Sequence, residues 1–309
     1  MKSGSPLRVE RPMQSRFAPL LRHLAGDLLR FDPRDFSEPW GEPGIVGPDS
    51  VSWQVFGNPV ALAVGGIAAV IMELGEPRVR AGVWQHSSFR SDPRERIGRT
   101  GAGALITVFA AQSRFAAYAE RVNAIHARIS GVAPEGMPYR ADAPELLHWV
   151  QATAAFGFAE AYGRLVRPLS PDEADRFYAE AAIGARFYGA DKAPRSQGEM
   201  GSYLAGMART LGPSPVILEF LEIMRSRPIL PKPLRWLQPL LADGAVDCVP
   251  RTIRDRIGLA SERRPTAFHW KLLKALAGTG EWVRLPDDPR RLARERINSP
   301  AAGGAPPRS

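Results

Sequence analysis

Residues 59–72, PVALAVGGIAAVIM, are apolar on nearly every side of any helix they form. A helix that is hydrophobic all round has to be enclosed by other elements or by lipid. At about 14 residues the stretch is shorter than the roughly 20 needed to span a bilayer. It reads as the central core helix of a globular fold. Such a helix needs several others to cover it, and 309 residues at 44% hydrophobic and 24% charged content can supply them.

Helix signals recur along the rest of the chain. Apolar periodicity predicts helices over 59–74, 93–111, 113–129, 144–162, 170–188, 196–212, 214–224, 233–241, 250–257 and 267–277. Ser170-Pro-Asp-Glu173 is a capping box with proline at the first helical position, and Ser196-Gln-Gly-Glu199 repeats that start signal. Gly131 and Gly212 read as C-terminal stops. Residues 1–50 read as irregular, and 51–56 carries the best of very few strand patterns. The expected fold is all-α: one globular domain of about eight to ten helices over residues 1–297. A disordered tail rich in Pro, Gly and Ala is expected over 298–309.

The net charge of +9 invites a nucleic-acid reading, but the basic residues are scattered and interleaved with acids, as in Asp172-Glu-Ala-Asp-Arg176. Nucleic acid leaves a patch or stripe as its footprint, so no nucleic-acid partner is expected. The excess charge leaves room for peripheral contact with an anionic membrane. A single cysteine, Cys248, excludes an internal disulfide and any cysteine-built metal site. Residues 1–16 carry charges and no apolar signal-peptide core, so a soluble cytoplasmic protein is expected.

The chain contains no G-x-x-x-x-G-K-[ST], H-E-x-x-H or G-x-S-x-G. Glu145-Leu-Leu-His148 is a Glu-x-x-His motif, but di-iron bundles need two copies and one is present. His126 shares a helical face with Phe115, Ala119, Val122 and Ile129. An imidazole there is either an ordinary core histidine bonded to a carbonyl, or an axial haem ligand in an apolar pocket. Arg96, Arg99 and Thr100 fall at i, i+3 and i+4 on one face. They are either a solvated polar face or, since 104–111 is apolar, the entrance to a core that holds carboxylates.

Seven segments stand in a telling order. They are Gly44-Ile-Val-Gly-Pro-Asp-Ser-Val-Ser-Trp53, the apolar 60–74, and Gly82-Val-Trp-Gln-His-Ser-Ser-Phe-Arg-Ser-Asp-Pro93. Arg96-Ile-Gly-Arg-Thr100, Arg121-Val-Asn-Ala-Ile-His-Ala-Arg-Ile-Ser-Gly131, Pro144-Glu-Leu-Leu-His-Trp-Val-Gln-Ala-Thr153 and Pro168-Leu-Ser-Pro-Asp-Glu-Ala-Asp175 follow. Over roughly residues 40–260 the chain resembles the MpaB/latex-clearing protein (rubber oxygenase) catalytic-domain family.

The resemblance implies an all-α fold with a globin-like haem-binding core, haem b as cofactor, and O2-dependent cleavage of a carbon–carbon double bond. It makes His126 the axial iron ligand and Arg96 a haem-side contact. Arg96, Arg99 and Thr100 become the catalytic group that lines or braces the distal side. Two residues depart from the family pattern. Arg99 stands where the rubber-cleaving branch has a lysine able to cap iron, and a guanidinium keeps its proton and stays off the metal. Gln151 stands where a histidine is common. The expected partners are O2 and a small unsaturated isoprenoid or lipid. Two other readings stay open: a haem protein with a peroxidase-like or sensor role, and a cofactor-free lipid-binding or scaffold protein.

Overall fold

The computed structural model describes residues 31–280 and 287–299. Among them run α1 (Arg34–Ser37), α2 (Val51–Val55), α3 (Pro59–Glu73), α4 (Pro77–His86), α5 (Pro93–Phe109) and α6 (Gln112–His126). A hairpin of β1 (Ser130–Val132) and β2 (Pro138–Arg140) follows, then α7 (Pro144–Leu165), α8 (Pro171–Phe187), α9 (Gln197–Met207) and α10 (Pro215–Ser226). A 3-10 turn (Lys232–Leu237) leads into α11 (Gln238–Cys248), α12 (Arg251–Arg256), α13 (Ala267–Gly280) and α14 (Pro289–Asn298). The fold is all-α, as expected, apart from the small antiparallel hairpin.

The apolar run becomes α3, with Val64, Ala68, Ile71 and Met72 fully enclosed. Asn58 starts it: its side-chain oxygen accepts from the amides of Val60 and Ala61, and its Nδ2 donates to Ala277 O. Those bonds satisfy orphan donors at the helix start and tie α3 to α13. Helix α7 crosses α3 so closely that a Cβ on Gly65 would lie 2.7 Å from Gly157 O. α11 and α13 pack on α3, as α5 does, while α8 packs on α7. No single helix among the described residues is long and apolar enough to cross a membrane.

The structure corrects several expectations. Fourteen α-helices are present among the described residues, where periodicity predicts about eight to ten. The additional ones are α1, α2, α4 and α14. Of residues 51–56, Val51–Val55 form a helix and Phe56 a turn, not a strand, because Glu180 accepts from the amides of Val51 and Ser52 and from the Ser52 hydroxyl. Ser50 completes that cap by accepting from Trp53 N. Gly131 closes no helix. It pairs with Tyr139 across the hairpin, where a Cβ would lie 2.8 Å from the Tyr139 hydroxyl. α9 stops at Met207, and Gly212 instead donates its amide to Gly75 O.

The Ser170–Glu173 capping box forms in full. At Ser196 only half forms: the hydroxyl accepts from Glu199 N, while the Glu199 carboxylate takes the Arg195 amide. Of the tail expected over 298–309, Asn298 ends α14 and residues 300–309 lie outside the described residues.

The crossing yields a stability test. Gly157→Ala forces a methyl into the backbone of α3 and should lower stability by about 1–3 kcal/mol. Gly163→Ala lies in the same helix, and its new methyl would have nothing within 4 Å. That substitution should raise stability by about 0.5 kcal/mol. Urea denaturation midpoints of the two variants, compared with wild type, measure both.

Candidate active site

A cavity of about 540 Å³ opens among α3, α5, α6, α7 and α8, with α4 and the hairpin at its edge. That volume suits a small-molecule or cofactor site. Periodicity makes the walls. Gly66, Ala69, Val70 and Glu73 form one stripe of α3, while Arg96, Thr100, Gly103 and Thr107 form one stripe of α5. Most of the lining is small or apolar, with Val150, Ala154 and Phe158 from α7 and Ala181 and Gly184 from α8. Glu73, Arg96, Arg99 and His126 gather where α5 begins and α3 and α6 end, while Glu180 of α8 is taken up by the start of α2.

His126 is the last residue of α6 and lines the cavity. Its Nδ1 is buried without a hydrogen-bond partner among the described residues. Such an atom costs about 1–3 kcal/mol, and beside a cavity it is available to a bound group. Burial lowers the His126 pKa, the charge of Arg96 lowers it further, and Asp142 only partly opposes them. The imidazole is therefore neutral near pH 7, the form that binds metals.

Arg96 reaches the same space. Its Nη1 donates to Thr100 Oγ1 at 2.8 Å, and the Thr100 hydroxyl donates back to Arg96 O at 2.9 Å. The guanidinium carbon lies 5.4 Å from the Phe89 ring centre, a cation–π distance. Its Nε is buried with no partner among the described residues. Burial lowers the Arg96 pKa, and the Glu73 carboxylate pulls it back up.

Glu73 escapes a reading of the sequence alone. It ends the apolar run of α3, and the small exposure it keeps is to the cavity it lines. Burial raises its carboxyl to about 7, against the opposing pull of Arg96 and Thr153. Thr153 helps little. Its hydroxyl is 3.5 Å from Glu73 Oε1 but 3.0 and 2.9 Å from the carbonyls of Trp149 and Val150. The available signal is an acid closing a fourteen-residue apolar stretch.

The structure brings Arg96, Arg99, Thr100 and His126 together around one cavity. Arg99 stands at the rim, 57% exposed, with Nη2 donating to Ser88 Oγ at 3.3 Å. Gln151 also lines the cavity. His148 does not. Its Nε2 accepts the Lys192 amide at 3.0 Å and lies 3.0 Å from Asp191 Oδ1. Glu145 pairs with Arg78, so the Glu-x-x-His motif serves structure. Among the described residues no cluster of three or more His, Cys, Asp or Glu could hold a metal ion. His86 lines the cavity edge, with Nε2 3.2 Å from the Tyr139 oxygen, which donates to Gln85 Oε1.

The sequence profile of the family described as ER-bound oxygenase mpaB/B'/Rubber oxygenase, catalytic domain, matches residues 53–284. That span exceeds half of the 309 residues and includes Glu73, Arg96, Thr100 and His126. No curated protein and no solved structure matches the chain.

The raised Glu73 pKa predicts a pH-dependent stability. Its folded value, about 7, lies above the ordinary carboxyl value of 4.5. The folded state therefore binds the proton more tightly, and wild-type stability falls as pH rises between those values. Glu73→Gln removes that penalty. The variant should match wild type near pH 4.5 and exceed it by about 1–3 kcal/mol at pH 8, read from denaturant melts at the two pH values.

Proposed function

Because the chain belongs to the mpaB/rubber oxygenase catalytic-domain family, we propose that it is a haem b-dependent oxygenase. The proposed reaction is O2-dependent cleavage of a carbon–carbon double bond in a small apolar isoprenoid or lipid. The observation that carries this reading is His126: a neutral imidazole with an orphaned buried nitrogen, at the charged end of an otherwise apolar cavity.

The residues present fit haem. A single strong nitrogen donor in an apolar pocket is what a haem iron would need from the protein. A guanidinium at the same end answers the carboxylates that haem carries. Haem b, when bound, supplies the iron centre at which O2 is activated. His126 would hold the iron through its imidazole. Arg96 would meet negative charge at the cavity's charged end, and Thr100 positions it by accepting one of its N–H groups.

Glu73, with a carboxyl near 7, holds or releases a proton at neutral pH inside the cavity. The apolar walls orient the substrate and exclude water. Arg99, whose guanidinium has no lone pair to offer a metal, would not itself ligate a bound haem.

The test is an absorption spectrum of protein purified from haem-replete cells. A Soret band is expected in wild type and in His86→Ala and His148→Ala, with haem retention lost in His126→Ala. Full haem occupancy and an unchanged spectrum in His126→Ala would overturn the assignment of the ligand. No Soret band in wild type would overturn the haem reading itself.

Arg99 gives a second expected outcome. Wild-type ferric protein should respond readily to added imidazole. Arg99→Lys should shift toward a six-coordinate nitrogen-ligated spectrum as pH rises and the lysine deprotonates. A wild type already low-spin and resistant to imidazole would contradict the expectation that no side chain caps the iron.

A further inference from the structure

The surface beside the cavity mouth is unusual in both shape and charge. Ile125 lines the cavity yet is 58% exposed, so it stands at the opening. Arg121, one turn before it on α6 with its guanidinium over the Tyr118 ring, and Arg128, in the turn that follows α6, are both exposed. The hairpin follows directly and is anchored by the Ala141 amide donating to Ile129 O. Pairing of Gly131 with Tyr139 and of Val132 with Pro138 sends these pairs to opposite faces. Tyr139 turns inward and lines the cavity. Val132 turns outward and is 60% exposed, with Met137 beside the turn also exposed.

The outer face of a two-stranded hairpin is ordinarily polar. Here Val132 and Pro138 share it with Ser130 and with Arg140, which Asp142 pairs, while the inner face lines a cavity whose walls are mostly apolar. No acidic residue occurs between Glu120 and Glu135, and Glu135 is drawn to the buried Arg80. Exposed apolar side chains flanked by arginines are the composition of an interfacial membrane-binding surface.

We propose that Ile125, Val132 and Met137, flanked by Arg121 and Arg128, dock the cavity mouth onto an anionic lipid bilayer. This rests on the oxygenase reading for its purpose, because an apolar isoprenoid or lipid resides in the bilayer rather than in water. The charge on the patch selects anionic lipid. Docking presents the cavity to the compartment that holds the substrate, so it passes from bilayer to site without crossing water.

The experiment is co-sedimentation of the full chain with phosphatidylcholine vesicles, with and without phosphatidylserine. Wild type should pellet with the serine-containing vesicles, and less so without phosphatidylserine or at high salt. Val132→Glu combined with Arg128→Glu should weaken that binding at least tenfold. Trp236→Glu and Phe268→Glu change exposed aromatics that do not border the cavity and should bind as wild type does. Circular dichroism checks that all variants are folded.

Wild type left in the supernatant with both vesicles overturns the proposal, as does equal loss in the control variants. Self-association through this patch without vesicle binding overturns it in favour of an interface between copies. Vesicle binding without a Soret band supports the surface and retires the haem reading. A Soret band without vesicle binding does the reverse.

Discussion

The crossing of α3 and α7 at Gly65 and Gly157 sets the spacing on which the cavity depends. Backbone meets backbone there, with a Cβ on Gly65 only 2.7 Å from Gly157 O. Two helices held that close act as one rigid unit, and their remaining side chains diverge from the contact. Gly66, Ala69 and Val70 of α3 and Ala154, Ala155 and Phe158 of α7 then share a wall that α5, α6 and α8 enclose. A larger residue at either glycine would push the pair apart and change the cavity's shape before it touched any polar group. Small residues at the contact thus serve the site as much as the packing.

The second dependence is electrostatic. α3 is apolar for its whole length and ends on Glu73, so the helix that builds the core also carries a carboxylate into it. Arg96 arrives from α5 with its guanidinium fixed by Thr100, and His126 arrives at the end of α6. Burial pushes all three toward their neutral forms, the carboxyl upward and the two bases downward. Such groups weaken the fold, and proteins retain them where activity needs them. Arg296 shares the burial, which lowers its pKa to about 10, and its Nη2 also has no partner among the described residues, but its other contacts are structural. It is almost wholly buried, yet it donates to the carbonyls of Glu42, Phe36 and Phe109, and it clasps α14 to the start of the described chain. That arginine is structural, lies outside the span of the family match, and does not line the cavity described above.

Legibility in the sequence follows the range of the interactions involved. Where a helix depends on its own neighbours, as α8 does on the Ser170–Glu173 box, local pattern is sufficient. α2 depends on Glu180, 128 positions from Ser52, and so its buried residues mimic strand alternation. α4 escapes periodicity because Arg78 and Arg80 blur its apolar face. Arg80 is buried only because Leu74 O and Glu135 receive it. α14 reads as a run of charge for the same reason. Spacing draws His126, Arg96 and Thr100 to notice, each on one helical face, but leaves their role open, and it is the family resemblance that singles them out. Glu73 hides as the last residue of an apolar run, and only the cavity gives its position meaning.

The central claim is that this cavity brings O2 and an unsaturated apolar chain together so that a double bond is cut. Cleavage of that kind converts one C=C into two carbonyl groups, and each new carbonyl takes one atom of the same O2 molecule. The direct measurement is mass spectrometry of the products formed from an isoprenoid under isotopically heavy O2, using the haem-loaded protein. The account predicts two carbonyl fragments, each carrying one heavy oxygen when exchange with water is trapped by prompt reduction. Intact substrate, or fragments labelled only from water, would contradict it.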